Sequence, residues 1–117
     1  MRIQVLAASA MLLALAGCAN DPAPVEQLRL ADQAVEQARG VGATEEVEAM
    51  KLAIQKLAQA RANMADQAYK QARINAEQAE LDARLAEDQL LTAKGQAQVK
   101  TLEARITRLR KQLGDVQ

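Results

Sequence analysis

The fold is decided by residues 66–113, which read DQAYKQARINAEQAELDARLAEDQLLTAKGQAQVKTLEARITRLRKQL. Alanine recurs in and just before this stretch at spacings of three and four, which places the alanines on one face of a helix. Small side chains let two helices approach closely, so we expect this face to pack against the preceding helix. The face consists of Ala65, Ala68, Ala72, Ala76, Ala79, Ala83, Ala86, Leu90, Ala93 and Ala97.

A second stripe follows the same helix in a seven-residue register. It starts at Ile74, is polar or small from Asp88 to Gly95, and is apolar from Val99 onward. Strict heptads of this kind are typical of a coiled-coil contact, and the amphipathicity of a surface helix is the plainer interpretation. We call the apolar part the heptad seam, a candidate interaction surface that continues to Val116. It comprises Val99, Leu102, Ile106, Leu109 and Leu113.

Two shorter helices are predicted before the long one. The first runs from about Val25 to Arg39 and is stopped by the glycines of residues 40–42. Thr44 is expected to cap the second helix, whose apolar stripe continues to about Met64.

The connection at residues 63–67 leaves two alternatives. A continuous helix from Thr44 to about Leu113 would be roughly 105 Å long. A hairpin is favoured, because Asn63 can adopt the left-handed conformation at a helix end and Asp66 can cap a new helix. The predicted fold class is therefore all-α: an elongated helical hairpin with a short preceding helix and a coiled-coil-like long C-terminal helix.

A hairpin leaves the end of the long helix without a partner, because Thr44 would lie beside roughly Ala86. Either the first helix or another protein chain must then cover the heptad seam. A parallel homodimer would place Arg105 against Arg110 of the other copy, whereas an antiparallel pairing sets Glu103 against Arg110. We expect antiparallel contact or cover by the first helix.

Composition agrees with helices packed side by side. Ala, Gln, Glu, Leu, Lys and Arg dominate, and Tyr69 is the one aromatic residue among 117. The length allows one domain at most, and residues 25–117 are predicted to form a single α-helical, coiled-coil domain.

The amino end has the pattern of a secretory signal peptide. Arg2 precedes a short apolar run, and Leu15, Ala16 and Gly17 form a cleavage motif directly before Cys18. The run is too short to span a membrane as a helix. Residues 1–17 are therefore predicted to be removed, and residues 18–24 to form a polar tether.

This motif resembles the lipobox of bacterial lipoproteins. The resemblance implies that Cys18 carries covalent lipid (palmitate among its acyl chains) and that more than one chain anchors the protein in the membrane. Ala19, rather than aspartate, follows the cysteine. By the same resemblance, the protein is sorted to the bacterial outer membrane and faces the periplasm.

The groups that most catalytic sites require are missing from the sequence. There is no histidine, and the single cysteine is assigned to the anchor, so no nucleophile–base pair or usual zinc site can be composed. Near-neutral charge argues against nucleic acid as a partner. We expect no enzyme activity, no cofactor, no metal and no small-molecule substrate.

Charge is unevenly distributed along the chain. Residues 18–48 carry seven acidic and two basic side chains, whereas residues 94–117 carry six basic and two acidic ones. Basic residues favour a helix C-terminus, which explains the second group without a function. Non-covalent contact with peptidoglycan is the functional alternative.

Several segments resemble small lipoproteins of the domain-of-unknown-function family 4398. They are Glu26 to Leu30, Gly42 to Glu46, Lys56 to Ala60, Tyr69 to Arg73 and Ala76 to Glu80, together with the lipobox. The family's function is unassigned, so the resemblance implies only an envelope context. The expected function is a structural or scaffolding lipoprotein; the alternatives are recruitment of a periplasmic partner through residues 99–116 and peptidoglycan contact.

Overall fold

The computed structural model describes residues 21–114, which form three helices. They are α1 (Val25–Gly40), α2 (Glu48–Ala65) and α3 (Tyr69–Gly114). The all-α class, the hairpin and the long last helix are confirmed. The predicted signal segment 1–17, Cys18 and Val116 lie outside the described residues.

Helix α1 ends in a glycine-dependent cap. The Gly42 N–H donates to the Arg39 carbonyl at 2.8 Å and the Ala43 N–H to the Ala38 carbonyl at 2.9 Å. Gly42 has a φ of +97°, a conformation that residues with a Cβ rarely adopt. The predicted stop at residues 40–42 is therefore confirmed as a Schellman-type end.

The predicted cap at Thr44 is wrong. Helix α2 begins at Glu48, and Val47 occupies the cap position without a side-chain hydrogen bond. Thr44 instead starts a turn, in which its carbonyl accepts from the Val47 N–H at 3.0 Å. The local turn places Thr44 too far from the first helical turn for its hydroxyl to serve as the cap.

The turn between α2 and α3 lies where it was predicted, but other residues make it. Gln67 adopts the left-handed conformation, with a φ of 59°. Asp66 occupies the C-terminal cap position of α2 rather than the N-terminal cap position of α3. The Ala68 N–H donates to the Asn63 carbonyl at 2.8 Å and closes the turn. The expectations for Asn63 and Asp66 are therefore wrong in detail: the helix continues past Asn63 for two residues before it ends.

Helices α1 and α2 both lie along the first half of α3. Lys56 of α2 forms a 2.7 Å ion pair with Asp82, while Asp21 lies 3.8 Å from Arg73 and the Lys94 ammonium donates to the Val41 carbonyl at 2.5 Å. These contacts make α2 antiparallel and α1 parallel to α3. The result is a three-helix bundle that ends near Lys94.

Alanine forms most of the bundle core. Twelve of the fifteen buried apolar residues are alanines, and Met50 is the largest side chain that is fully buried. Ala72, Ala76, Ala79, Ala83 and Ala86 have no exposed surface, and Leu90 packs against the same core. Because the side chains are small, the helices pack closely, and the alanine face contacts both preceding helices instead of one.

The alanine face is buried only where the bundle covers it. Ala65 and Ala68 at its start, and Ala93 and Ala97 beyond Leu90, are exposed. Helix α1 stops level with Leu90 and Lys94, so cover of the heptad seam by α1 is excluded. The reason is the left-handed Gly42, which turns the chain back toward α2.

Enlarging a core alanine should destabilise the bundle. We expect Ala79→Leu to lower the free energy of unfolding by about 1–3 kcal/mol, because the close contact has no room for three more carbons. Urea unfolding followed by circular dichroism measures the change. The matched control Ala97→Leu, on an exposed site of the same helix, should change stability by less than about 0.5 kcal/mol. Equal effects at both sites would contradict the close packing.

Candidate interaction surface

Helix α3 extends beyond its two neighbours for about twenty residues. We call residues 95–114 the overhang; at 1.5 Å per residue it is about 30 Å long. From Gln96 to Gly114 every residue is exposed. The heptad seam lies entirely on this segment. Its exposed fractions are 54% for Val99, 54% for Leu102, 48% for Ile106, 57% for Leu109 and 71% for Leu113.

The buried contacts of α3 and its heptad seam lie on different sides of the helix. Up to Leu90 the apolar contacts lie on the alanine face, whereas the heptad seam lies roughly 140° away around the helix axis. On the seam side, exposed Leu81 and Leu85 precede the polar or small positions from Asp88 to Gly95. A helix lying on the seam would therefore approach α3 from the side opposite to α1 and α2.

The seam is narrow and flanked by polar residues. Seven-residue spacing confines it to two side chains per heptad, which is the width of a coiled-coil contact rather than a broad lipid-facing surface. Glu103 and Arg110 follow Leu102 and Leu109 at one edge, and Arg105 lies at the other. The geometry matches the side of another α-helix.

A basic face lies behind the seam. Lys100, Arg105, Arg108 and Lys111 are exposed and occupy the side of the overhang that continues the alanine face. The face that is apolar within the bundle thus becomes cationic beyond it. This charge keeps that side of the overhang solvated.

Lys94 and Leu90 define the edge of the bundle. The spacing predicts Leu90 on the alanine face, but nothing in the sequence predicts the contact of Lys94. A Cβ at Gly42 would lie 3.7 Å from both the Lys94 ammonium and a Leu90 methyl group. Together with the bond from Lys94 to the Val41 carbonyl, this contact fixes the α1–α2 loop on α3. No sequence signal distinguishes Lys94 from the other basic residues of α3.

No group of His, Cys, Asp or Glu within residues 21–114 could hold a metal ion, and no helix there is long and apolar enough to cross a membrane. Arg29 lowers the pKa of Glu26 mainly through a hydrogen bond, and Glu26 in turn raises the pKa of Arg29. This exposed pair stabilises the first turns of α1 and is remote from the overhang.

Cys18 and the cleavage motif Leu15, Ala16 and Gly17 lie outside the described residues. Asp21, the first described residue, lies beside Arg73 near the start of α3. The chain therefore enters the bundle at the end opposite to the overhang.

These features define an elongated all-α class in which a short bundle carries one protruding helix. The chain belongs to the family of the domain of unknown function DUF4398, whose model matches residues 26–102. The crystal structure of a DUF4398 family protein from Pseudomonas aeruginosa PAO1 is similar, with 54% sequence identity and a TM-score of 0.80. That similarity covers 82% of this chain and 100% of the other. The comparison with curated proteins gave no match.

Hydrogen exchange should separate the bundle from the overhang. A helical segment without tertiary contacts is marginal in water, so we expect amides of residues 98–114 to exchange at least tenfold faster than those of residues 72–90. Mass spectrometry of the monomeric protein at high dilution measures this difference. Equal protection along all of α3 would show that something already covers the overhang.

Proposed function

We propose that this protein is a lipid-anchored lipoprotein of the bacterial outer membrane that presents the overhang as a helix-binding surface in the periplasm. It thus acts in scaffolding rather than catalysis. The observation that carries the proposal is the exposed heptad seam, from Val99 to Leu113, on a helix that outruns its own bundle. A contiguous apolar stripe of this kind is costly to leave in water and marks an interaction site.

The anchor is supported by sequence. The cleavage motif directly precedes the only cysteine, so one continuous segment accounts for both export and attachment. Two or more acyl chains bind a membrane firmly, whereas one binds marginally. With Asp21 beside Arg73, such an anchor would hold the start of α3 near the membrane and allow the seam to reach about 60 Å away.

The proposal assigns no reaction and no cofactor. The sequence has no histidine, and acylation would consume its only thiol. The work of the protein then consists of binding, for which the bundle provides a rigid base and the overhang the contact.

A second proposal is non-covalent contact with peptidoglycan through the basic face. Lys100, Arg105, Arg108 and Lys111 support it, because they form a cationic strip on the solvent side of the overhang. Such a contact depends on charge and weakens as salt rises. Binding through the seam is apolar and depends much less on salt.

Affinity capture of the tethered protein from cross-linked envelopes tests the main proposal. We expect Leu102→Asp with Ile106→Asp to lose at least nine-tenths of a defined protein partner, because each change places a charge within the apolar contact. Labelled palmitate should be incorporated by the wild type and not by Cys18→Ser.

The matched control is Ala97→Asp with Ala104→Asp, which adds the same charges on the outward side of the same helix. It should keep the partner. Unchanged recovery in the seam variant would contradict a helix-binding role, and loss of recovery at high salt alone would favour the peptidoglycan contact. Absence of palmitate would contradict the anchor.

A further inference from the structure

We propose that the partner of the heptad seam is a second copy of this chain, bound antiparallel through the two overhangs. The inference rests on the proposed function, since it requires that the overhang be an interaction surface, and it names the partner. It is carried by charge complementarity, by register and by the length of the overhang.

Charge decides the orientation. In heptad terms Val99, Ile106 and Leu113 occupy position a, Leu102 and Leu109 occupy d, Glu103 and Arg110 occupy e, and Arg105 occupies g. A parallel pair brings g against e, so Arg105 would face the partner's Arg110 on both sides. An antiparallel pair brings e against e, so Glu103 faces the partner's Arg110 twice by symmetry.

One antiparallel register satisfies the seam and the charges together. When Ile106 lies level with the partner's Leu109, Leu102 lies level with the partner's Leu113, which gives four apolar layers among described residues. The same register brings Glu103 beside the partner's Arg110. It also brings Arg105 beside the partner's Gln112, which is uncharged.

The overhang is long enough to accommodate the partner's helix in this register. With Ile106 level with the partner's Leu109, the partner's Gly114 lies level with Thr101. The partner's helix therefore stops short of the bundle edge at Lys94. It also lies on the side of α3 away from α1 and α2, so the two bundles do not collide.

The interface is small. Covering the eight exposed side chains of these four layers removes on the order of 800 Å² from water, below the area of most stable complexes. We expect a weak dimer in dilute solution. Anchoring both copies in one membrane would raise their effective concentration and favour the pair.

The twofold symmetry of the antiparallel pair also determines how far apart the two lipid anchors lie. The two copies of Arg73, each beside its own Asp21, would lie about 100 Å apart at opposite ends of the dimer. With both anchors in one membrane, the long axis of the dimer lies parallel to the membrane surface.

Disulfide trapping in the full-length protein tests the orientation. Leu102→Cys and Leu113→Cys chains are co-expressed, and isolated envelopes are treated with a mild oxidant. We expect a mixed 102–113 disulfide dimer and no dimer from Leu102→Cys alone, because antiparallel copies hold their residues 102 about 16 Å apart along the axis. A 102–102 dimer would overturn the proposal in favour of a parallel pair.

A charge reversal provides the second measurement. Arg110→Glu should lower the yield of the mixed dimer roughly tenfold, since it turns both pairs with Glu103 repulsive. The control Lys111→Glu makes the same charge change on the outward side and should leave the yield within about twofold. In a parallel pair Arg110→Glu would instead raise association by relieving the contact with Arg105.

The failures of the two proposals are distinguishable. If no pair of cysteines forms a dimer while the seam variant still loses a captured protein, the second-copy inference is overturned and the binding role stands. If the mixed dimer forms but palmitate is not incorporated, the anchor is wrong and the inference stands.

Discussion

The close packing of alanines on α3 is the constraint on which the rest of the structure depends. Ala72, Ala76, Ala79, Ala83 and Ala86 leave no exposed surface, so the face can accept only helices that approach closely along their length. Both α1 and α2 do so, and each presents alanines of its own, such as Ala34 and Ala53. A narrow core of this kind can be filled without large side chains.

The extent of this close packing also determines where the bundle ends and the overhang begins. Close packing ends at Leu90, where Lys94 and Gly42 join the α1–α2 loop to α3. Beyond that edge the former alanine face becomes cationic, and the opposite face carries the exposed heptad seam. One continuous helix thus has two contact surfaces on different sides. The first packs against α1 and α2, and the second is proposed to bind a second chain.

Much of this architecture could be predicted from sequence, because spacing encodes which residues share a helix face. Residue spacing and type predict the alanine face, the glycine stop at residues 40–42 and the break at residues 63–67. The cap details could not be predicted in this way. Gln67 adopts a left-handed conformation that its residue type does not favour, and a turn closed by the Val47 N–H and the Thr44 carbonyl delays the start of α2. The path of α1 was equally hidden, because its length fits several registers on α3. Contacts such as Lys94 with Val41 and Arg73 with Asp21 define the one adopted. The heptad seam was found because apolar residues in strict register stand out whether or not a partner is present.

The central claim is that α3 is protected on its alanine face within the bundle and on its heptad seam beyond it. A cysteine-accessibility scan along α3 in intact cells tests this claim most directly. Single cysteines at residues 72–113 are reacted with a membrane-permeable maleimide. The account predicts protection at Ala76, Ala79 and Ala83, then at Leu102, Ile106 and Leu109, with Ala97 and Ala104 reactive. Protection that continued through Ala97 and Ala104, with a reactive seam, would contradict it.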